Sequence, residues 1–193
     1  MVQSTGPKNI KCAVFISGAG SNLKSLIEFS KIKKSPISIE LIISDNSEAK
    51  GLKFGKIFKI THKVFNYKNK LIAEKKIISE IKNKNIKLIC LAGFMKILSK
   101  KFIKSFKGKI LNIHPSLLPK YKGLNTHHRA LLNNEKYSGC TVHYVNSRLD
   151  SGKIILQKKV KINKNETIQT LSKKILMQEH KLYPKAIRKV FNL

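Results

Sequence analysis

The sequence predicts an α/β fold: a single domain built on one doubly wound, mostly parallel sheet, with an antiparallel strand pair and a helix towards its carboxyl end. Three observations predict it. Short continuous apolar runs at residues 11–17, 37–43 and 88–92 alternate with helix-spaced patterns, as expected for strands buried in a parallel sheet. The first run stops at Gly18-Ala19-Gly20 and gives way at once to Leu23, Leu26 and Ile27, a strand, glycine turn and helix. Residues 137–144 and 154–162 are β-like runs on either side of one short loop, the spacing of an antiparallel pair.

With 193 residues the chain is long enough for one sizeable core, expected over residues 11–193. Residues 1–10 are polar and carry Gly6-Pro7, so they read as a flexible tail and not as a signal peptide. No apolar run approaches the roughly 20 residues that span a bilayer, which predicts a cytoplasmic protein without a membrane partner. Cys12, Cys90 and Cys140 each lie inside an apolar run, without a Cys-x-x-Cys pair, and read as reduced core residues.

The formal charge is +30, from 40 basic and 10 acidic residues. Such a charge invites a nucleic-acid reading. Only Arg129, Arg148 and Arg188 are arginine, however, and the lysines are spread over the whole chain instead of gathering in one patch. A drift of composition towards Lys, Ile and Asn accounts for the charge without any partner, although a positive field would also steer anionic substrates.

Beyond the glycine turn, Ser21 or Asn22 is placed to cap the first helix, whose free amides favour an anion. A short Gly-x-Gly is equally what a tight turn needs, and the motif is neither the dinucleotide fingerprint nor a Walker loop. Residues 37–43 form the second strand, closed by Ser44-Asp45-Asn46, where Asp45 is explained by turn chemistry. A helix over residues 49–59 and a short strand at 63–65 follow. Leu71, Ile77, Ile78 and Ile81 give residues 70–82 helical spacing with lysines outside. Residues 88–92 are a buried strand with Gly93-Phe94-Met95-Lys96-Ile97-Leu98 as its exit loop.

Residues 110–113 are another short strand, and Pro115 and Pro119 forbid its continuation as ladder or helix. The chain therefore leaves the sheet at His114. In open α/β sheets ligands bind at the carboxyl ends of strands, and Asn112 and His114, two apart, point to one side. A strand-to-turn junction with satisfied polar groups would show the same pair. Thr126 is placed to cap a helix running to residue 133. His127 and His128 are adjacent on it, about 100° apart, which rules out a shared metal. His143, near the end of the 137–144 strand, faces either the core or the site. After it comes Arg148-Leu149-Asp150-Ser151-Gly152, holding one of only two aspartates. A carboxylate there, beside His114, would raise the ring's pKa and favour an acid able to serve a developing oxyanion. Thr167 opens the last helix, with Ile168, Leu171, Ile175, Leu176 and Leu182 inward.

Asn112-Ile113-His114-Pro115-Ser116-Leu117-Leu118-Pro119-Lys120-Tyr121, Gly123-Leu124-Asn125-Thr126-His127 and Leu149-Asp150-Ser151-Gly152 resemble, in order and spacing, the folate-dependent glycinamide ribonucleotide formyltransferases. The likeness runs from Ile16-Ser17-Gly18-Ala19-Gly20-Ser21-Asn22 to Gln178-Glu179-His180-Lys181-Leu182-Tyr183-Pro184. It implies a Rossmann-like formyltransferase fold, transfer of a formyl group from 10-formyltetrahydrofolate to the amine of glycinamide ribonucleotide in purine biosynthesis, and no metal. Asn112, His114 and Asp150 would be catalytic. Gly20, Ser21 and Asn22 would hold the ribonucleotide phosphate, with Glu179 near the glycinamide and His127 a further contact. The folate would meet Lys70, Met95, Lys96, Ile97, Leu98 and Asn112, together with Asn146, Ser147, Arg148, Leu149 and Asp150. Lysine stands at 96 where the family more often has arginine, and leucine at 176 where it more often has glutamine.

Two relatives share this core. A methionyl-tRNA formyltransferase carries an additional carboxyl-terminal RNA-binding domain and a formyltetrahydrofolate deformylase an amino-terminal regulatory one, and neither is expected within 193 residues. A non-catalytic nucleic-acid-binding module is the reading from another class. The implied partners are two small molecules, with no specific nucleic acid, and oligomeric state stays open between monomer and homodimer.

Overall fold

Seven strands, β1 (Ile10–Ile16), β2 (Ile37–Ser44), β3 (His62–Val64), β4 (Leu88–Leu91), β5 (Lys109–His114), β6 (Tyr137–Tyr144) and β7 (Ile154–Lys161), form one sheet in the order β3-β2-β1-β4-β5-β6-β7. The computed structural model describes residues 9–192. Pairs β1/β2, β1/β4 and β2/β3 are parallel, whereas β5/β6 and β6/β7 are antiparallel. This is the fold class that the alternating runs predict. Contacts divide the chain after Ile110 into two units.

In the first unit, Cys12 to Ile16 are wholly buried, because a strand flanked by parallel neighbours has both faces covered. Phe15 meets Phe94 and Phe102 edge to face, with centroids 5.3 and 6.3 Å apart. Helix α1 (Ser21–Ser30) starts one residue after a left-handed Gly20, φ 74°, which is itself the N-cap and leaves the helix without a side-chain cap. Neither Ser21 nor Asn22 caps it, contrary to expectation, because the backbone reverses at the glycine and both residues are already helical. The helix expected over 49–59 is a 3₁₀ turn (Lys50–Leu52) followed by the short α2 (Lys53–Ile57). Asn69 caps α3 (Lys70–Asn83) by accepting from the Ile72 amide. Helix α4 (Lys100–Ser105), absent from the sequence reading, is capped by Ser99, whose hydroxyl and amide both reach the buried Glu74 of α3.

In the second unit, α6 (Ile168–Val190) packs on β6 and β7, burying Leu171, Ile175, Leu182, Tyr183, Ala186 and Ile187. Thr167 and Thr170 cap it reciprocally. It runs unbroken through the polar Gln178-Glu179-His180 stretch. Helix α5 (Thr126–Leu132) has Asn125, φ 57°, as its N-cap, so Thr126 is its first helical residue and not its cap. Strand β1 begins at Ile10, inside the expected tail, and the rest of that expectation, residues 1–8, lies outside the described residues. The three cysteines are buried and free, and burial beside Glu179 pushes the Cys140 thiol up to about 12. Among the described residues no helix is long and apolar enough to cross a membrane.

Candidate active site

The second unit holds a cluster of two rings, an amide and a carboxylate. Strand β5 ends at His114, and the loop after it is fixed by short-range hydrogen bonds. Thr141 donates to the Ser116 carbonyl at 2.6 Å and accepts from the Leu118 amide at 3.1 Å, and Ser116 donates to the Lys120 carbonyl at 2.7 Å. That loop brings the Tyr121 carbonyl to 2.9 Å from His114 Nε2. A carbonyl can only accept, so Nε2 carries the hydrogen and Nδ1 is the nitrogen left for chemistry. Asp150 Oδ2 lies 3.4 Å from Nδ1. The His114 side chain is only 7% exposed.

Asp150 is delivered by the loop joining β6 to β7. Its own φ is 44°, a left-handed conformation that aspartate tolerates better than most residues. The Gly123 amide donates to Oδ2 at 2.9 Å and His143 Nε2 stands 3.7 Å from Oδ1. The loop is braced by Asn146, which accepts from the Arg148 amide and donates to the Ser151 carbonyl, and by Ser151, which donates to the Leu149 carbonyl. Its far end closes where Gly152 presses on β6: a Cβ there would stand 1.6 Å from the Tyr144 carbonyl oxygen. Only glycine fits that contact.

On the neighbouring strand, Asn112 Nδ2 is 3.2 Å from His143 Nε2, and His143 Nδ1 is 2.8 Å from the Tyr144 carbonyl. Asn112, His114, His143 and Asp150 thus form one connected group. Burial is the largest influence on His114 and holds its pKa below the ordinary histidine value, outweighing the Tyr121 carbonyl and Asp150, which push it up. A carboxylate partner alone implies a rise, and burial reverses it. Burial would raise Asp150, but His143 when it carries a second proton, the Gly123 amide and a protonated His114 together keep it below the usual carboxylate range. His127 is pulled down by burial and then by His114, and its Nδ1 is buried without a hydrogen-bond partner.

Of the other candidates in this unit, Glu179 is buried and close enough to Cys140 to raise its thiol, so it is not on a solvated helix face. Ser147, Arg148 and Leu149 are exposed along the loop. In the first unit, the left-handed Gly20 packs so close to Gly51 that a Cβ would stand 2.6 Å from its Cα, leaving the start of α1 capped by backbone alone. Lys70 is half-buried in the first turn of α3. Met95 and Ile97 are exposed, 63% and 59%, while Leu98 is buried. Lys96 Nζ lies 3.7 Å from Asp45. Among the described residues no group of three or more His, Cys, Asp or Glu is placed to hold a metal ion.

A formyl transferase family profile matches residues 10–187. Phosphoribosylglycinamide formyltransferase of Haemophilus influenzae is 42% identical over 181 residues, covering 92% of this chain and 85% of that protein. The chain belongs to the phosphoribosylglycinamide formyltransferase family. It is also 41% identical over 186 residues to the human trifunctional purine biosynthetic protein adenosine-3, of whose length it spans 18%. The crystal structure of the Brucella melitensis family member superposes with a TM-score of 0.89 at 40% identity, covering 95% of this chain and 96% of that one.

Two residues have partners that no local pattern in the sequence points to. His143 turns to Asn112 and Asp150, resolving the choice between core and site. Asp45, read as turn chemistry, accepts from Ser17 Oγ at 2.5 Å, and Ser17 in turn accepts from the Met95 amide at 2.8 Å. Its side chain therefore secures the loop that carries Met95 and Lys96.

Proposed function

We propose that the protein transfers the formyl group of 10-formyltetrahydrofolate to the amine of glycinamide ribonucleotide, with Asn112, His114 and Asp150 as the catalytic group. The observation that carries this reading is the connected cluster at the end of β5, in a chain of this family.

The neutral amine attacks the formyl carbon, a carbon–nitrogen bond forms, and the carbonyl electrons move onto oxygen. Asn112 spends one amide hydrogen on His143 and has a second for that oxygen. His114 Nδ1 supplies the charged partner. Burial holds the ring below its ordinary value, but an oxyanion added to Asp150 brings a second negative charge, which favours the imidazolium as charge develops. Separation of 3.4 Å from Asp150 is longer than a charge-assisted hydrogen bond, so the pair has room to exchange partners. Asp150 then takes the proton from the attacking nitrogen and passes it through water to N10 of the folate. The bond from N10 to the formyl carbon breaks, and formylated product and tetrahydrofolate leave. Holding both reactants in line supplies much of the remaining acceleration.

The ribonucleotide phosphate is assigned to the backbone amides of Gly20, Ser21 and Asn22, a reading supported by a helix start that no side chain caps. Glu179 serves the glycinamide end. The folate is assigned to Lys70, to the loop of Met95, Lys96, Ile97 and Leu98, and to Asn146, Ser147, Arg148 and Leu149. Lys96 is already paired with Asp45 and Leu98 points into the core, so these two contribute through the backbone.

Release of tetrahydrofolate decides the reading when measured with glycinamide ribonucleotide, with charged initiator tRNA, and with neither. Turnover only with the ribonucleotide is expected. Turnover with the tRNA alone, or equal turnover without an acceptor, overturns it.

A further inference from the structure

We propose that His143 is a positioning residue: its Nε2 determines which end of the Asn112 amide is presented to the reacting oxygen. The inference rests on the role given to Asn112 above and extends it to a side chain that touches neither substrate.

An asparagine amide has a donor end and an acceptor end of nearly the same shape, and only the donor end can serve an oxyanion. Something in the protein must choose between them. Asn112 and His143 are direct cross-strand partners in the β5/β6 register. The β6/β7 register shifts between Val142 and His143, an irregularity of the kind that re-aims a side chain. His143 is 2% exposed, so its ring has no solvent to turn to. Its Nδ1 lies 2.8 Å from the Tyr144 carbonyl, which cannot donate, so that nitrogen bears the hydrogen.

In the neutral ring Nε2 is then a lone pair. At 3.2 Å it faces Asn112 Nδ2, and a lone pair requires a donor opposite it. The amide nitrogen is thereby turned towards the ring, and its second hydrogen is left for another acceptor. Reversing the amide would set Oδ1 against the lone pair. Asp150 Oδ1, 3.7 Å from Nε2, is too far to take over the bond. The tautomer is itself braced from the other side, because the Tyr144 carbonyl that fixes Nδ1–H is the one Gly152 presses upon.

The test uses His143→Leu, which removes the acceptor, and His143→Gln, whose side-chain oxygen can accept from Nδ2. Each is measured alone and combined with Asn112→Ala. His143→Leu is expected to lower kcat by about 10²-fold, the size of losing one oxyanion donor, with both KM values within about threefold of the parent. His143→Gln is expected to recover most of that loss. In the Asn112→Ala background His143→Leu should change kcat by less than about threefold, since a residue acting through Asn112 has nothing left to position. Additive losses, or a glutamine variant no better than leucine, overturn the proposal.

A second readout needs no turnover. In the free protein labelled with ¹⁵N, one side-chain amide proton of Asn112 should resonate as hydrogen-bonded, keep that shift in His143→Gln and lose it in His143→Leu. Persistence of the shift in the leucine variant refutes the orientation. Absence of formyl transfer by the parent protein, with the shift pattern as expected, refutes the reaction instead.

Discussion

His114 Nδ1 and Asp150 Oδ2 lie 3.4 Å apart with side chains only 7% and 8% exposed, although one residue ends strand β5 and the other sits in the loop between β6 and β7. Two titratable groups removed from water at that separation control each other's proton. Replacing either should therefore affect the chemical step far more than the fold. We expect His114→Ala and Asp150→Ala each to lower kcat by about 10² to 10⁴-fold, with circular dichroism unchanged and the ribonucleotide still bound by calorimetry. Near-parental kcat in either variant would remove that residue from the mechanism.

The same burial gives a stability signature. His114 is held below the ordinary histidine value of 6.5, so below that pH the unfolded chain takes up the proton more readily than the folded one. Folding stability must then fall as the pH drops through 6.5 and towards the folded pKa. Asp150, held below its ordinary 3.8, stabilises the fold above that value and ceases to do so as the pH passes beneath it. Urea midpoints between pH 4 and 8 should decline more steeply towards acid for the parent protein than for His114→Gln. Parallel curves would show that the ring does not titrate as its surroundings imply.

Gly152 offers a purely steric test. A methyl group there would stand 1.6 Å from the Tyr144 carbonyl oxygen, a distance no relaxation of one side chain relieves. Either the strand ends part or the Asp150 loop moves. Gly152→Ala should cost about 1–3 kcal/mol of stability by chemical denaturation and also depress kcat, because the displaced atoms include those that hold His143. Ser151→Ala, which loses only hydrogen bonds to the Leu149 carbonyl and Lys122, should stay close to the parent in both.

How far the sequence could be read followed the range of the forces involved. Cys12 to Ile16 were legible as a strand because burial on both faces leaves a continuous apolar run. Asn112 and His114 were legible as a same-side pair because period two and the following prolines are local facts. Their electrostatics were not: the downward shift of His114 comes from its burial, which outweighs the Tyr121 carbonyl and Asp150, and burial is a property of the folded chain that no local pattern carries. Helix α4 escaped notice because six residues with three lysines show little periodicity, and its signal is the single Ser99 cap. Asp45 was misread because its partner Ser17 lies 28 residues earlier, where no local pattern connects them.

That misreading leads to a prediction for the loop of Met95 and Lys96. Ser17 donates to Asp45 and accepts from the Met95 amide, and Lys96 pairs with the same carboxylate, so one acid secures consecutive loop residues. Asp45→Ala should loosen the loop and raise KM for the formyl donor by about tenfold, the equivalent of roughly one hydrogen bond. KM for the ribonucleotide should not change. A shift in the ribonucleotide KM alone would assign Asp45 to the other substrate.

Gly20 allows the phosphate assignment to be separated from general damage to α1. Its φ of 74° strains any side chain, and a Cβ would meet the Gly51 Cα at 2.6 Å, so Gly20→Ala must shift the backbone whose amides are assigned to the phosphate. A misfolded helix would harm every substrate alike. A displaced anion site would harm only an acceptor that carries the anion. The informative quantity is the ratio of kcat/KM for glycinamide ribonucleotide to that for the dephosphorylated riboside, which should collapse towards one in Gly20→Ala while the riboside value itself barely moves. An unchanged ratio would mean that the amides at the start of α1 do not hold the phosphate, whatever the variant does to overall activity.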